Sequence, residues 1–237
     1  LHDTYVDRFM AFGVAGLSVL ADSLSAIKYA NVAPVKDANG FIVDFNTTGD
    51  FPKFGNDDDR VDLIAKDMTH RMITELRKTP TYRKAIHTLS VLTITSNVMY
   101  GKNTGATPDG RRAGEPLSDA ASPTYGKDTR GATATVLSVT KPDYTKVACG
   151  TVINQKYSPS MFEDGKRDKL RALIRVYFAK GGQEMQINAT STEVLKDAMD
   201  HPEKYPDLVV RVSGFSALYV TLAREVQMDI LARTQQE

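Results

Sequence analysis

Tryptophan is absent from the 237-residue chain, and cysteine occurs once, at Cys149. A single cysteine excludes an internal disulfide and fits a reducing, cytoplasmic setting. An excess of charge of either sign is also missing. Lys and Arg number 30 against 29 Asp and Glu, a net charge of +1. That balance gives no electrostatic case for binding nucleic acid or an anionic membrane. No apolar run approaches the roughly 20 residues of a membrane span, and no secretory signal is visible. The chain opens at Leu1 rather than methionine, already in helical pattern, and is expected to be a piece of a longer polypeptide.

Metal and hydrolase motifs are missing as well. His2, His70, His87 and His201 are scattered, with no paired-histidine spacing. Asp57-Asp58-Asp59 invites a calcium loop, but the twelfth position from Asp57 is Met68 rather than glutamate. A helix start, where acids are favoured, is the better expectation. No metal is expected in this chain. Nucleophile-elbow, P-loop and Rossmann fingerprints are absent. Cys149 lies in Val147-Ala148-Cys149-Gly150, at the start of an apolar strand, and is expected to be buried and structural. Arg111 and Arg112 are expected to pin their own glycine-rich loop by ion pairs.

What is present reads as a soluble α/β protein, 41% hydrophobic and 25% charged. The spacing of Val6, Met10, Val14, Leu17, Leu20, Leu24 and Ile27 predicts a helix over 3–29. Residues 34–56 read as loop, and 58–78 as a second helix stopped by Pro80. Residues 89–95, 132–140, 147–155 and 184–189 read as strands, and 100–131 as a long irregular segment. An amphipathic helix is predicted over 166–180, ended by Gly181-Gly182. Another is predicted over 191–200, with Thr190 and Glu193 as a capping box. A last helix covers 222–234, capped by Thr221.

Near the C-terminus, Gly214 interrupts two strand-forming runs, Leu208-Val209-Val210-Arg211-Val212 and Phe215-Ser216-Ala217-Leu218-Tyr219-Val220. One reading is a bend. The other is chemical. A radical at a glycyl Cα is delocalised onto the flanking amide nitrogen and carbonyl, and only glycine becomes planar there without a side-chain clash. Radical chemistry is ordinarily left to cofactors; here the backbone would carry it.

Several motifs, in order along nearly the whole chain, resemble the glycyl radical enzymes, pyruvate formate-lyase (formate C-acetyltransferase) in particular. They are Ala21-Asp22-Ser23-Leu24-Ser25-Ala26-Ile27-Lys28-Tyr29-Ala30, Phe54-Gly55-Asn56-Asp57, the run from Ser90 to Val98, Thr107-Pro108-Asp109-Gly110-Arg111-Arg112-Ala113-Gly114, and Arg211-Val212-Ser213-Gly214-Phe215 with Ile230-Leu231-Ala232-Arg233-Thr234. The resemblance implies the C-terminal portion of a ten-stranded α/β barrel carrying the glycyl radical loop. Residues 1–106 would belong to the barrel domain and 112–237 to a glycine radical domain. It implies a post-translational glycyl radical on Gly214. A radical S-adenosylmethionine activating enzyme would install it, recognising Arg211, Val212, Ser213, Phe215 and Ser216. The radical would pass to a cysteine on an opposing loop, and the enzyme would split pyruvate, with coenzyme A as co-substrate, into acetyl-CoA and formate, as a cytoplasmic homodimer.

The family's cysteine pair and the arginines for the substrate carboxylate lie upstream of the matching region, and Cys149 does not match that loop. The chain alone is therefore expected not to turn over pyruvate without a cysteine-bearing upstream half or subunit. Phe215-Ser216-Ala217-Leu218-Tyr219 and Asn154-Gln155-Lys156-Tyr157-Ser158-Pro159-Ser160 look more like the diol dehydratase branch. The alternatives are thus part of a glycyl radical diol dehydratase or other C–C lyase, or a non-catalytic replacement radical subunit.

Overall fold

A computed structural model describes residues 4–163 and 165–236. The predicted first helix begins at residue 3, outside the described residues, and residues 4–16 are not helical. Phe9–Gly13 forms strand β1, and only Leu17–Tyr29 forms helix α1. Gly16 separates them at φ 79, a left-handed conformation that ends helical continuation. A Cβ there would also meet the Leu117 side chain at 3.3 Å. The apolar spacing fitted a helix, but pairing with another strand decided the outcome.

The predicted loop over 34–56 holds a hairpin instead. β2 (Asn31–Lys36) and β3 (Ile42–Thr48) pair antiparallel around a tip in which the Asp37 carboxylate accepts from the Asn39 and Phe41 amides, both at 2.9 Å. Pro34 is tolerated because a two-stranded ribbon has free edges. Helix α2 (Asp59–Leu76) starts at the acidic cluster, where Asp58 caps it by accepting from the Arg60 amide at 3.0 Å.

β4 (Ile86–Ser90) lies parallel to β1 in the register Phe9↔Ile86 to Gly13↔Ser90. It ends earlier than predicted. Val91 still bridges Thr151, but Thr93 turns away to donate to Asp119 at 2.6 Å. Helix α3 (Ser96–Lys102) precedes the long irregular segment.

The strand predicted over 132–140 falls instead in helix α4 (Gly131–Val139). Its β-branched content is overridden by context. Val136 and Val139, three residues apart on one helical face, are both fully buried, and Thr135 and Thr140 return their hydroxyls to the carbonyls of Gly131 and Val136. β5 (Val152–Tyr157) then runs parallel to β6 (Glu184–Asn188), with helix α5 (Arg167–Ala179) between them. β5 starts later than predicted, and Cys149 stands before it, exposed rather than buried.

Helix α6 (Thr192–Asp200) is capped by Ser191, which accepts from the Val194 amide at 3.3 Å; the capping box on Thr190 does not form. β7 (Val209–Arg211) and β8 (Ser216–Leu218) make an antiparallel hairpin. Helix α7 (Arg224–Ala232) begins after Ala223 without a side-chain cap, so Thr221 is not its cap. β9 (Gln235–Gln236) adds to the end of β5 in parallel.

The parallel strands thus run β1–β4, across the Val91–Thr151 bridge, to β5 and β6. Helices α1 and α2 lie in the crossover from β1 to β4 and α5 in that from β5 to β6; β5 is buried along its whole length, whereas β1 is largely exposed. One core joins both halves of the chain: Leu17, Phe54, Val61 and Leu89 pack with Val136, Ile153 and Tyr177. A second core under the β7–β8 hairpin gathers Leu195, Val210, Val212, Tyr219 and Ile230. No helix among the described residues is long and apolar enough to cross a membrane.

Candidate functional site

Gly214 stands at the tip of the β7–β8 hairpin. A bond of 2.9 Å from the Val212 amide to the Phe215 carbonyl closes the tip, leaving Ser213 and Gly214 at its apex. Gly214 has φ 80, a conformation that side chains resist. No atom lies within 4 Å of where its Cβ would be. The glycine is therefore required by backbone conformation and not by crowding, and its Cα faces open space. Gly214, Phe215 and Ser216 are exposed, Arg211 is half-buried, and Val212 and Ser213 are buried.

The apex is held from below by a row of carboxamides. β5 and β6 pair with Asn154 opposite Gln186 and Lys156 opposite Asn188, so these four side chains share one face of the sheet. Asn188 takes both backbone groups of Arg211, accepting its amide at 2.8 Å and donating to its carbonyl at 2.7 Å. Gln186 Oε1 accepts from the Gly214 amide and from Arg211 Nε, each at 3.0 Å. Asn154 donates to the Ser213 hydroxyl at 3.2 Å and to Asp119 at 2.6 Å.

A buried ion network supports the row. Arg233, at the end of α7, donates to the Arg211 carbonyl at 3.1 Å and to the Val212 carbonyl. Its guanidinium lies 3.6 Å from Asp119 and 3.9 Å from Asp229, with side-chain exposures of 2%, 0% and 6%. Asp229 also accepts from Asn97 and from the Tyr125 hydroxyl, both at 3.1 Å. Burial raises both carboxyls against the pull of Arg233, Asp229 to about 6. Lys156 donates to the Leu231 carbonyl at 2.9 Å, and burial lowers it to about 8.

The glycine-rich loop lies elsewhere. Arg111 is buried and donates to the carbonyls of Glu115, Thr104 and Gly105. It does pin its loop, but through carbonyls and not through the ion pairs expected; Arg112 is exposed. The loop walls a groove of about 670 Å³ with Val98, Leu117, Tyr125 and Met228, and no residue of the 211–216 segment lines it. No cluster of three or more His, Cys, Asp or Glu side chains suited to a metal occurs among the described residues.

Of the residues singled out from sequence, the structure brings 211–216 together and leaves Cys149 and the arginine loop outside. Gln186, Asn188 and Asp119 were not anticipated, and Asn154 and Arg233 stood out only as members of longer resembling segments. The available signal was alternation: Gln186 and Asn188, two apart, occupy the same face of the strand expected over 184–189.

An exposed left-handed glycine, its amide held by a buried side chain over a parallel α/β sheet, makes the candidate site a backbone one and not a side-chain one. Family comparisons agree. Residues 1–101 match the model "Pyruvate formate lyase-like" and residues 117–220 match "Glycine radical". The chain belongs to the pyruvate formate-lyase-like family of glycyl radical enzymes. It is 47% identical to the PFL-like enzyme TdcE of Escherichia coli (strain K12), over 99% of this chain and 32% of that protein. It superposes on the B12-independent glycerol dehydratase of Clostridium butyricum with a TM-score of 0.83 at 34% identity, over 96% of this chain and 31% of that one. A Roseburia inulinivorans structure, described for 1,2-propanediol dehydration, gives a TM-score of 0.85 at 32% identity, over 97% and 32%. The chain therefore spans about a third of the length of these relatives. Its α/β fold corresponds to a portion of the ten-stranded α/β barrel of such enzymes.

Proposed function

We propose that this chain is the radical-bearing part of a pyruvate formate-lyase-like enzyme, which converts pyruvate and coenzyme A to acetyl-CoA and formate. Gly214 stores the radical. The observation that carries this reading is the backbone of Gly214: left-handed, open where a Cβ would stand, and anchored through its own N–H. Residues 1–106 act as barrel and 112–237 as the glycine radical domain.

Loss of a hydrogen atom from Gly214 Cα leaves an unpaired electron on a centre that must flatten. No neighbour stands within 4 Å of the position a Cβ would take, so nothing crowds that side of the centre. A radical S-adenosylmethionine enzyme removes the hydrogen. Phe215 and Ser216, both exposed, offer it direct contact. Arg211, Val212 and Ser213 contribute through the turn they shape. In catalysis a thiol on another part of the enzyme returns a hydrogen atom to Gly214 Cα and becomes a thiyl radical, so one C–H bond forms as one S–H bond breaks. Cys149 is not that thiol in this reading. The assembled enzyme works in the cytoplasm as a homodimer.

Pyruvate is preferred over a diol because identity to the PFL-like relative, 47%, exceeds identity to the glycerol dehydratase, 34%. The test is to combine the chain with the cysteine-bearing part, activate anaerobically, and supply pyruvate with coenzyme A or a 1,2-diol. Acetyl-CoA and formate are expected. Aldehyde from the diol, with pyruvate untouched, would move the assignment to the dehydratases.

A further inference from the structure

Gln186 does more than support the hairpin. Its side chain, on β6, is 5% exposed. Its orientation follows from its partners: Oε1 faces two donors, the Gly214 amide and Arg211 Nε, each at 3.0 Å. Nε2 donates to Glu184 Oε1 at 2.6 Å. A flipped carboxamide would set its NH₂ against two N–H groups and its oxygen against a carboxylate, so only one orientation is compatible. Arg211 and Glu184 thus grip the Gln186 carboxamide from both ends, and its oxygen is presented to Gly214.

That amide is half of what would stabilise a Gly214 radical. The nitrogen lone pair releases electron density into the half-filled Cα orbital, and an acceptor on the N–H increases that release. The acceptor also fixes the amide plane in which conjugation takes place. We propose that Gln186 is a positioning residue for the Gly214 radical, setting its spin distribution and its stability relative to the thiol. The proposal rests on the storage role above. It also gives Arg211 a task, which is to hold the acceptor oxygen in place.

The test uses the chain activated anaerobically with the cysteine-bearing part, comparing wild type, Gln186→Leu, and the double variant Gln186→Glu with Glu184→Gln. The double variant exchanges the two end groups and restores an acceptor to Gly214. In Gln186→Leu the α-hydrogen doublet in electron paramagnetic resonance should widen, because more spin stays on Cα. Radical on Gly214 should fall about fivefold, the change one amide hydrogen bond commands. The double variant should return both values toward wild type. Hydrogen exchange at the Gly214 amide gives an independent reading. Its acceptor is the Gln186 oxygen, so its protection should fall in Gln186→Leu and return in the double variant. A wild-type doublet with unchanged width and yield in Gln186→Leu would overturn the proposal and leave Gly214 as the radical site. Absence of any wild-type doublet would remove the storage reading and this proposal together. Should Gln186→Leu fail to fold, the double variant decides: an unprotected Gly214 amide there would overturn the role of Gln186.

Discussion

Replacing Arg233 by methionine should loosen the hairpin more than any other single side-chain change at the site. The guanidinium is 2% exposed and serves four groups: the Arg211 and Val212 carbonyls, Asp119 and Asp229. The Arg211 carbonyl keeps Asn188 as a donor, and the carboxylates keep Thr93, Asn154, Asn97 and Tyr125. Two buried carboxylates would nevertheless lose their cation, and removing one partner of such a pair costs about 3–5 kcal/mol. Protonation offers relief. Burial already places Asp229 at about 6 with Arg233 present, and without it both carboxyls must rise further. The cost should therefore be about 3–5 kcal/mol at pH 8 and shrink to about 2 kcal/mol near pH 5, where mainly unmet hydrogen bonds remain. Urea unfolding followed by circular dichroism at the two pH values reads both numbers. Adding Asp119→Asn to Arg233→Met should recover part of the loss at pH 8. A loss below about 1 kcal/mol at both pH values, with no recovery, would refute the charge balance argued for this network.

Other perturbations have equally definite outcomes. Asp22 on α1 is fully buried and accepts the Phe54 amide at 2.7 Å, and burial raises it from 3.8 to about 7. Its folded form holds a proton that the unfolded chain gives up between those values, so stability should fall by up to about 4 kcal/mol as pH rises from 4 to 8. Asp22→Asn should flatten that slope in urea titrations, and an unchanged slope would reject the assignment. Gly101→Ala would bring a Cβ to 2.6 Å from the Pro116 Cα, a backbone contact that cannot yield cheaply, and should cost about 2–3 kcal/mol. Gly105→Ala meets nothing within 4 Å and is the matched control, expected within about 0.5 kcal/mol of wild type. Cys149 is exposed, so a maleimide should label it fully in the native state; labelling that needs denaturant would contradict its placement.

Helices α2 and α5 and strand β6 were legible in the sequence because local chemistry decides them. Asp58 caps, Leu170 and Tyr177 share a buried face, and Gly181 ends α5 at φ 93. Elsewhere tertiary context won. The β-branched run over 132–140 forms a helix, whose spacing puts Val136 and Val139 on one face in the core. Val6 and Met10 fit a helical spacing, yet Gly16 and the register with β4 placed Phe9–Gly13 in a sheet. Gly214 itself stood out, since one glycine between strand formers demands a reason. Its supports did not. Gln186 reaches Gly214, and Arg233 the Arg211 and Val212 carbonyls, across long stretches of chain, and only the parallel register of β5 with β6 and the return of α7 bring them beneath the hairpin.

The most direct measurement is anaerobic electron paramagnetic resonance on the chain activated with a radical S-adenosylmethionine enzyme and the cysteine-bearing part. Protein labelled with glycine deuterated at Cα is compared with unlabelled protein and with Gly214→Ala. Alanine at φ 80 costs about 1–2 kcal/mol of backbone strain but meets no neighbour, so the variant should remain folded. The expected result is a doublet in the unlabelled protein, its collapse on deuteration, and no signal in Gly214→Ala. A doublet that survives in Gly214→Ala, or that ignores the deuterium, would contradict the assignment of the radical to Gly214.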